Sequence, residues 1–141
     1  MLPDPVTRYG LLVSRAFLVL IFLLNGFGVI DQSRAAQEMA ERGLPAGAVP
    51  FSMMGGRIAQ IVAGVALLVG FWERWAALVL FLFLIPATAI AHNFWAYHGA
   101  ELQAQLVNFS KNVAILGGLL FIVCREEPAR VEARRERPDS P

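Results

Sequence analysis

Residues 57–92 read RIAQIVAGVALLVGFWERWAALVLFLFLIPATAIAH. Between Arg57 and His92 the only charged residues are Glu73 and Arg74. They divide two apolar runs, Arg57 to Trp72 and Trp75 to His92. At about 1.5 Å of rise per residue each run approaches or matches the ~30 Å hydrocarbon core of a bilayer. A two-residue link leaves no room for a crossover, so the runs form an antiparallel hairpin of membrane helices. The first run is the shorter, and Met53, Met54 or the flanking aromatics are available to extend it. Pro86, inside the second run, removes a backbone donor and predicts a kink, with the Leu82 carbonyl left for another partner.

Outward from the hairpin, a run from about Tyr9 to Ile30 is a further span. It exceeds the 7–15 residues of a signal-peptide core, and Arg15 interrupts it. The last span is expected from Leu106 to Cys124. Between the first two spans, Asp31 to Arg42 is polar and reads as a surface helix. Asp31 or Ser33 would cap it, and Gly43 with Pro45 would stop it. Leu44 to Gly56 is rich in Gly, Pro and Ala and reads as a loop. The fold class is therefore all-α, an integral-membrane four-helix up-down bundle. A membrane domain over 1–124 carries an external loop at 31–56, and a charged cytoplasmic tail follows at 125–141. That tail alternates Arg with Glu and is expected to be disordered.

The totals agree. The chain has 141 residues, 57% of them hydrophobic, against about 45–50% in a soluble domain. One cysteine, Cys124, excludes an intramolecular disulfide. With four spans, the N-terminus, the Glu73-Arg74 link and the tail share a side that carries Arg8, Arg74, Arg125, Arg130, Arg134, Arg135 and Arg137. Arg34, Arg42, Arg57 and Lys111 lie opposite. The positive-inside rule then places both termini in the cytoplasm. Trp72 and Trp75 would mark the inner interface, and Phe94, Trp95 and Tyr97 the outer one.

All four spans bring polar side chains towards the outer leaflet. Asn25 comes from the first, Arg57 and Gln60 from the second, His92 from the third, and Asn108, Lys111 and Asn112 from the fourth. Such groups are costly in lipid and face the bundle interior. The cluster has donors and amides but no carboxylate, and Glu101 is the nearest acid available from the outer loop. A quinone head group fits it, because two carbonyl oxygens want donors and the tail wants lipid. The candidate ligand-binding residues are thus Asn25, Arg57, Gln60, His92, Trp95, Asn108, Lys111 and Asn112. The alternative is interhelical glue with no ligand, each bond contributing about 0.6–2 kcal/mol. Arg15, alone in the inner half, either snorkels to the interface or meets Glu73. Packing ridges are expected along Gly55, Ala59 and Ala63 and along Ala114 and Gly118.

Other chemistries find little here. Two histidines six residues apart do not share a helical face, so no metal site is expected. No phosphate-binding loop or nucleophile–base motif is present. The tail arginines are interleaved with glutamates, which argues against nucleic acid and for the bilayer surface. A transporter would need a polar path through the inner half, which is missing.

The run Asn108-Phe109-Ser110-Lys111-Asn112-Val113-Ala114-Ile115-Leu116-Gly117-Gly118-Leu119 resembles the fourth-helix signature of the DoxX family. His92-Asn93-Phe94-Trp95 resembles its His-x-Phe-Trp. Gly70 followed by Arg74-Trp75-Ala76-Ala77-Leu78, and Arg15 before Phe22-Leu23-Leu24-Asn25-Gly26, are similar in order and spacing. Two positions depart: Val29 stands where the family often has Lys, and Gln60 where it often has Glu. The resemblance implies a small four-helix inner-membrane protein. It also implies links to quinone-dependent sulfur oxidation and to membrane complexes handling thiol and oxidative stress. Membrane or periplasmic redox proteins would be the partners, and a homo-oligomer is left open. It implies an accessory subunit more than an enzyme, with no catalytic residue assigned. The arginine asymmetry makes a direct prediction. A reporter fused after Pro141 should behave as cytoplasmic and one inserted at Ala48 as external; an external C-terminus would overturn the topology.

Overall fold

The computed structural model describes residues 4–125. Residues 1–3 and the tail beyond Arg125, expected to be disordered, lie outside the described residues. The elements are α1 (Asp4–Gly26), α2 (Ser33–Glu41), α3 (Ala48–Val69), α4 (Glu73–Ala91), a 3₁₀ turn (Phe94–Ala96) and α5 (Gly99–Cys124). Helices α1, α3, α4 and α5 are each long and apolar enough to cross a membrane. Their surfaces fit that reading. Phe51 is 81% exposed and Phe121 71% exposed, an outlay of aromatic surface that only lipid or a partner accommodates.

The spans are offset from their expected limits, and local chemistry explains each offset. α1 stops at Gly26 because Gly28 takes a left-handed φ of 75°. The amides of Val29 and Ile30 then turn back onto the Leu24 carbonyl, a glycine-terminated helix end. α3 takes in Ala48 to Gly56, where the Gly, Pro and Ala content predicts a loop. Pro50 lies in its first turn, where a missing N–H costs nothing. α5 begins at Gly99, seven residues before the expected Leu106, because Ala100 to Gln105 are good helix formers despite their polarity. α4 passes through Pro86 as one continuous helix. The expected surface helix is α2; Asp31 precedes it and accepts bonds from the Ser33 amide (2.9 Å) and hydroxyl (2.8 Å). Those bonds hold the Asp31 carboxyl below its ordinary range.

α1 packs on α3, α3 on α4, and α4 on α5, while α1 and α5 touch only lightly. Val19, Phe22, Ala63, Leu67, Ala76, Ala77, Leu80, Leu84 and Leu119 form the buried apolar core. It lies towards the end that carries the α3–α4 link, called here the link end. Gly70 there adopts φ 79°, and its missing side chain makes room for the Arg15–Glu73 ion pair that the sequence had offered as one partner for Arg15. Arg125 joins the same carboxylate at 3.5 Å.

Of the expected Gly55–Ala59–Ala63 ridge on α3, Ala63 is buried in the core, but the glycine that packs is Gly56 and not Gly55. A Cβ on Gly55 would meet nothing within 4 Å, whereas one on Gly56 would come within 3.1 Å of Phe83 and one on Gly64 within 2.9 Å of Leu23. Gly118 does face α1, at 3.3 Å from Leu18. The tightest approach is at Gly26, whose Cβ would stand 2.6 Å from Ile61 Cγ1 and 3.2 Å from the Arg57 carbonyl oxygen. Gly26→Ala should therefore cost about 1–3 kcal/mol and lower the melting temperature in detergent. Gly55→Ala, into open space, should be neutral or slightly stabilising by helix propensity. Equal melting of the two variants would contradict the α1–α3 seam.

Candidate functional site

Outward of the apolar core, away from the link end, each seam turns polar. Among the described residues, Gln60 (3% exposed) on α3, Thr88 (3%) on α4 and Gln105 (5%) on α5 are the buried polar ones. A polar group in hydrocarbon has no water to turn to, so it must be paired within the protein. Gln60 donates from Nε2 to the Gly56 carbonyl of its own helix at 3.1 Å. Thr88 accepts at Oγ1 from Asn112 Nδ2 at 3.1 Å, joining α4 to α5. One turn further out, His92 caps α4 through its amide on the Thr88 carbonyl. Its Nδ1 lies 2.9 Å from the Gln105 amide.

The amide orientation that satisfies all of Gln105's neighbours has its nitrogen donating to His92 Nδ1 at 2.9 Å and to the Ala91 carbonyl at 3.3 Å. Its oxygen then accepts from Arg34 Nη2 at 3.2 Å. In that arrangement His92 is the neutral tautomer protonated at Nε2.

Arg34, on α2, ties this seam to the surface. Its Nη2 donates to the Tyr97 hydroxyl at 2.8 Å and to Glu101 at 3.2 Å, and its Nε donates to Glu38 at 3.2 Å. The Tyr97 and Glu38 bonds hold its guanidinium even more firmly charged than usual. Arg42 spans from α2 to the last turn of α4, donating to the Ala89 (3.3 Å) and Ile90 (3.2 Å) carbonyls. These are the unpaired acceptors at a helix C-terminus, where a cation is favoured. α2 is thus strapped across the end of the α4–α5 pair that lies opposite the link end.

The eight expected ligand contacts do not all meet. His92 and Asn112 lie in the α4–α5 seam, and Gln60 is buried in α3. Asn25 is half-buried, and its backbone carbonyl accepts from Gln32 Nε2 at 3.1 Å. Arg57 is half-buried beside Gly28. Trp95 is exposed and packs edge-on against Phe94 and Phe109. Asn108 is half-buried, while Lys111 lies on the exposed face of α5. Glu101 does supply a carboxylate, but to Arg34 and not to Lys111.

Sequence reasoning missed Arg34, Glu38, Thr88 and Gln105. It also missed Asn93, whose Oδ1 is buried with no partner among the described residues. Their signal was the spacing. Arg34, Glu38 and Arg42 recur every four residues, as do Thr88 and His92, and Gln105 precedes Asn112 by two turns. Arg34→Ala should leave the Glu38 carboxylate, 12% exposed, with only the distant Arg42 at 3.9 Å. The expected cost is on the order of 1 kcal/mol. Amide exchange across Ser33–Glu41 should accelerate in that variant and hardly change in Glu101→Gln. Unaltered exchange in Arg34→Ala would refute the strap.

Known proteins place the chain. It is similar to "Inner membrane protein YphA" of Escherichia coli (strain K12), 29% identical over 116 residues, covering 79% of each protein. No solved structure matches it. The sequence model of DoxX matches residues 10–93, from the first turns of α1 through His92 and Asn93, and so stops before the α5 segment that carried the closest resemblance. That match spans more than half of the chain, and with it the four-span membrane protein described here belongs to the DoxX family.

Proposed function

We propose that this chain is a multi-pass inner-membrane protein that serves as an accessory subunit to redox proteins. In this reading it receives the head group of a quinone, or of a similar lipophilic molecule, in the polar seam between α4 and α5. The similarity to an inner membrane protein supports the location. The α2 end would face outward and both termini inward, as the arginine asymmetry suggests.

One observation carries the ligand reading. Gln105 engages His92 at Nδ1, which leaves an unspent Nε2–H donor on a half-buried imidazole at the polar end of the α4–α5 seam. A quinone carbonyl is an acceptor with an apolar body, and it suits that donor. Asn108, half-buried on α5, offers a second amide. Gln60, Asn25 and Lys111 would contribute only by lining the approach.

A second reading rests on the same seam. Thr88 and Asn112 already satisfy one another, as do His92 and Gln105. Paired groups of this kind hold helices together without any ligand. A titration of the purified protein with a short-tailed quinone separates the two. Saturable binding by the wild type, weakened about tenfold in His92→Leu by loss of one hydrogen bond, is the expected result. Lys111→Met, on the exposed face, should bind within a few-fold of wild type. No saturable binding by the wild type would leave glue as the role of the seam.

A further inference from the structure

Arg57 is half-buried and unpaired, whereas Arg8, also without a partner among the described residues, is exposed. Arg15 pairs with Glu73, Arg34 with Glu38 and Glu101, and Arg74 donates to the Val123 carbonyl. Among the described residues Arg57 has no carboxylate partner and no side-chain hydrogen bond, and its Nε is buried without an acceptor. A half-buried guanidinium with its donors unspent is expensive in a bilayer.

Its setting is specific. The Cβ position of Gly28 lies 3.5 Å from Arg57 Nη2, 3.6 Å from Cζ and 3.6 Å from Nη1. Three near-equal distances set the guanidinium face-on to the glycine, so one face is covered by backbone. Nε is closed off, while Nη1 and Nη2 stay accessible. The available donors are therefore the terminal pair, the edge that grips a phosphate with two parallel bonds.

Depth points the same way. α1 ends at Gly26, against the Arg57 carbonyl, after an apolar span of 22 residues from Pro5. Such a span is about 33 Å long, a little more than the hydrocarbon core. Arg57 thus lies level with the end of the α1 span and inside the α3 span of Ala48–Val69, where a long side chain can reach towards the bilayer edge. Around it Phe27 and Val29 on the turn, and Met54 and Ile58 on α3, are exposed. The site is a cation with an apolar apron.

We infer that Arg57 and the Gly28 turn form a headgroup site for an anionic phospholipid. The phosphate bridges Nη1 and Nη2, and an acyl chain lies along Phe27, Val29, Met54 and Ile58. Net negative charge is the selecting feature, because the guanidinium has no counter-charge from the protein. The site is separate from the α4–α5 seam and does not rest on the quinone reading.

The test is native mass spectrometry of the full-length protein in lipid-free detergent, titrated with dioleoyl-phosphatidylglycerol. Dioleoyl-phosphatidylcholine and inorganic phosphate form parallel arms. The wild type should retain phosphatidylglycerol saturably and more tightly than phosphatidylcholine. Arg57→Met should weaken phosphatidylglycerol at least about tenfold, as loss of charge-assisted bonds implies, and leave phosphatidylcholine unchanged. If the methionine variant does not fold, Arg57→Gln, which keeps a polar tip without charge, carries the same expectation. Equal retention of phosphatidylglycerol by wild type and variant overturns the proposal. So does phosphatidylcholine held as tightly, or binding of inorganic phosphate without lipid.

Discussion

Hydrocarbon offers no hydrogen bonds, so every polar group carried into the spans must find its partner within the protein or at the bilayer edge. The link end shows the constraint met by an ion pair. Arg15 enters the bundle from α1 and meets Glu73, the first residue of α4, with Arg125 on the other carboxylate oxygen. Gly70 makes the meeting possible. Its left-handed backbone ends α3, and its bare Cα leaves the space the guanidinium fills. One turn therefore reverses the chain and neutralises the charges that would otherwise open the end of the bundle.

At the opposite end the same constraint is met by neutral pairs. Thr88 with Asn112, and His92 with Gln105, close the α4–α5 seam without a buried charge. Charge is moved outward to α2, where Arg34 gathers Glu38, Glu101 and Tyr97. The division is economical physically, since a neutral hydrogen bond loses far less on leaving water than an ion does. It also yields a graded structure: an apolar core at the link end, an amide and imidazole layer beyond it, and an ionic strap outermost. Arg57 is the exception to the grading. Its lack of a protein partner draws attention to the bilayer edge and not to the seam.

Membrane packing adds little hydrophobic drive, because lipid is as apolar as leucine. Close approach takes over that role, and the glycines that serve it are those facing a neighbour: Gly26 against Ile61, Gly64 against Leu23, and Gly56 against Phe83. Gly55 and Gly117 face open space. A glycine repeat in the sequence therefore names a helix with small residues but not the face that packs.

Four spans, the hairpin at Glu73-Arg74, the surface helix after Asp31 and the polar character of one bundle end were all legible in the amino-acid order. Each depends on composition over many residues, and a bilayer sorts segments by composition and length alone. The Arg15–Glu73 pair was legible as one of two options, since both residues lie near the same interface. The helix ends were not, because Gly28 and Pro50 act through single backbone angles and missing donors that a hydropathy pattern averages away. Nor were Arg34, Thr88 and Gln105 as partners of the expected site residues. Which side chains touch across a seam depends on the rotation and axial register of each helix, and a shift of one residue turns a side chain by about 100°. That is why Asn112 reaches Thr88 while its neighbour Lys111 stands on the exposed face: the sequence determined that polar groups lie at this depth, and only the packing of α4 against α5 decided which of them are inside.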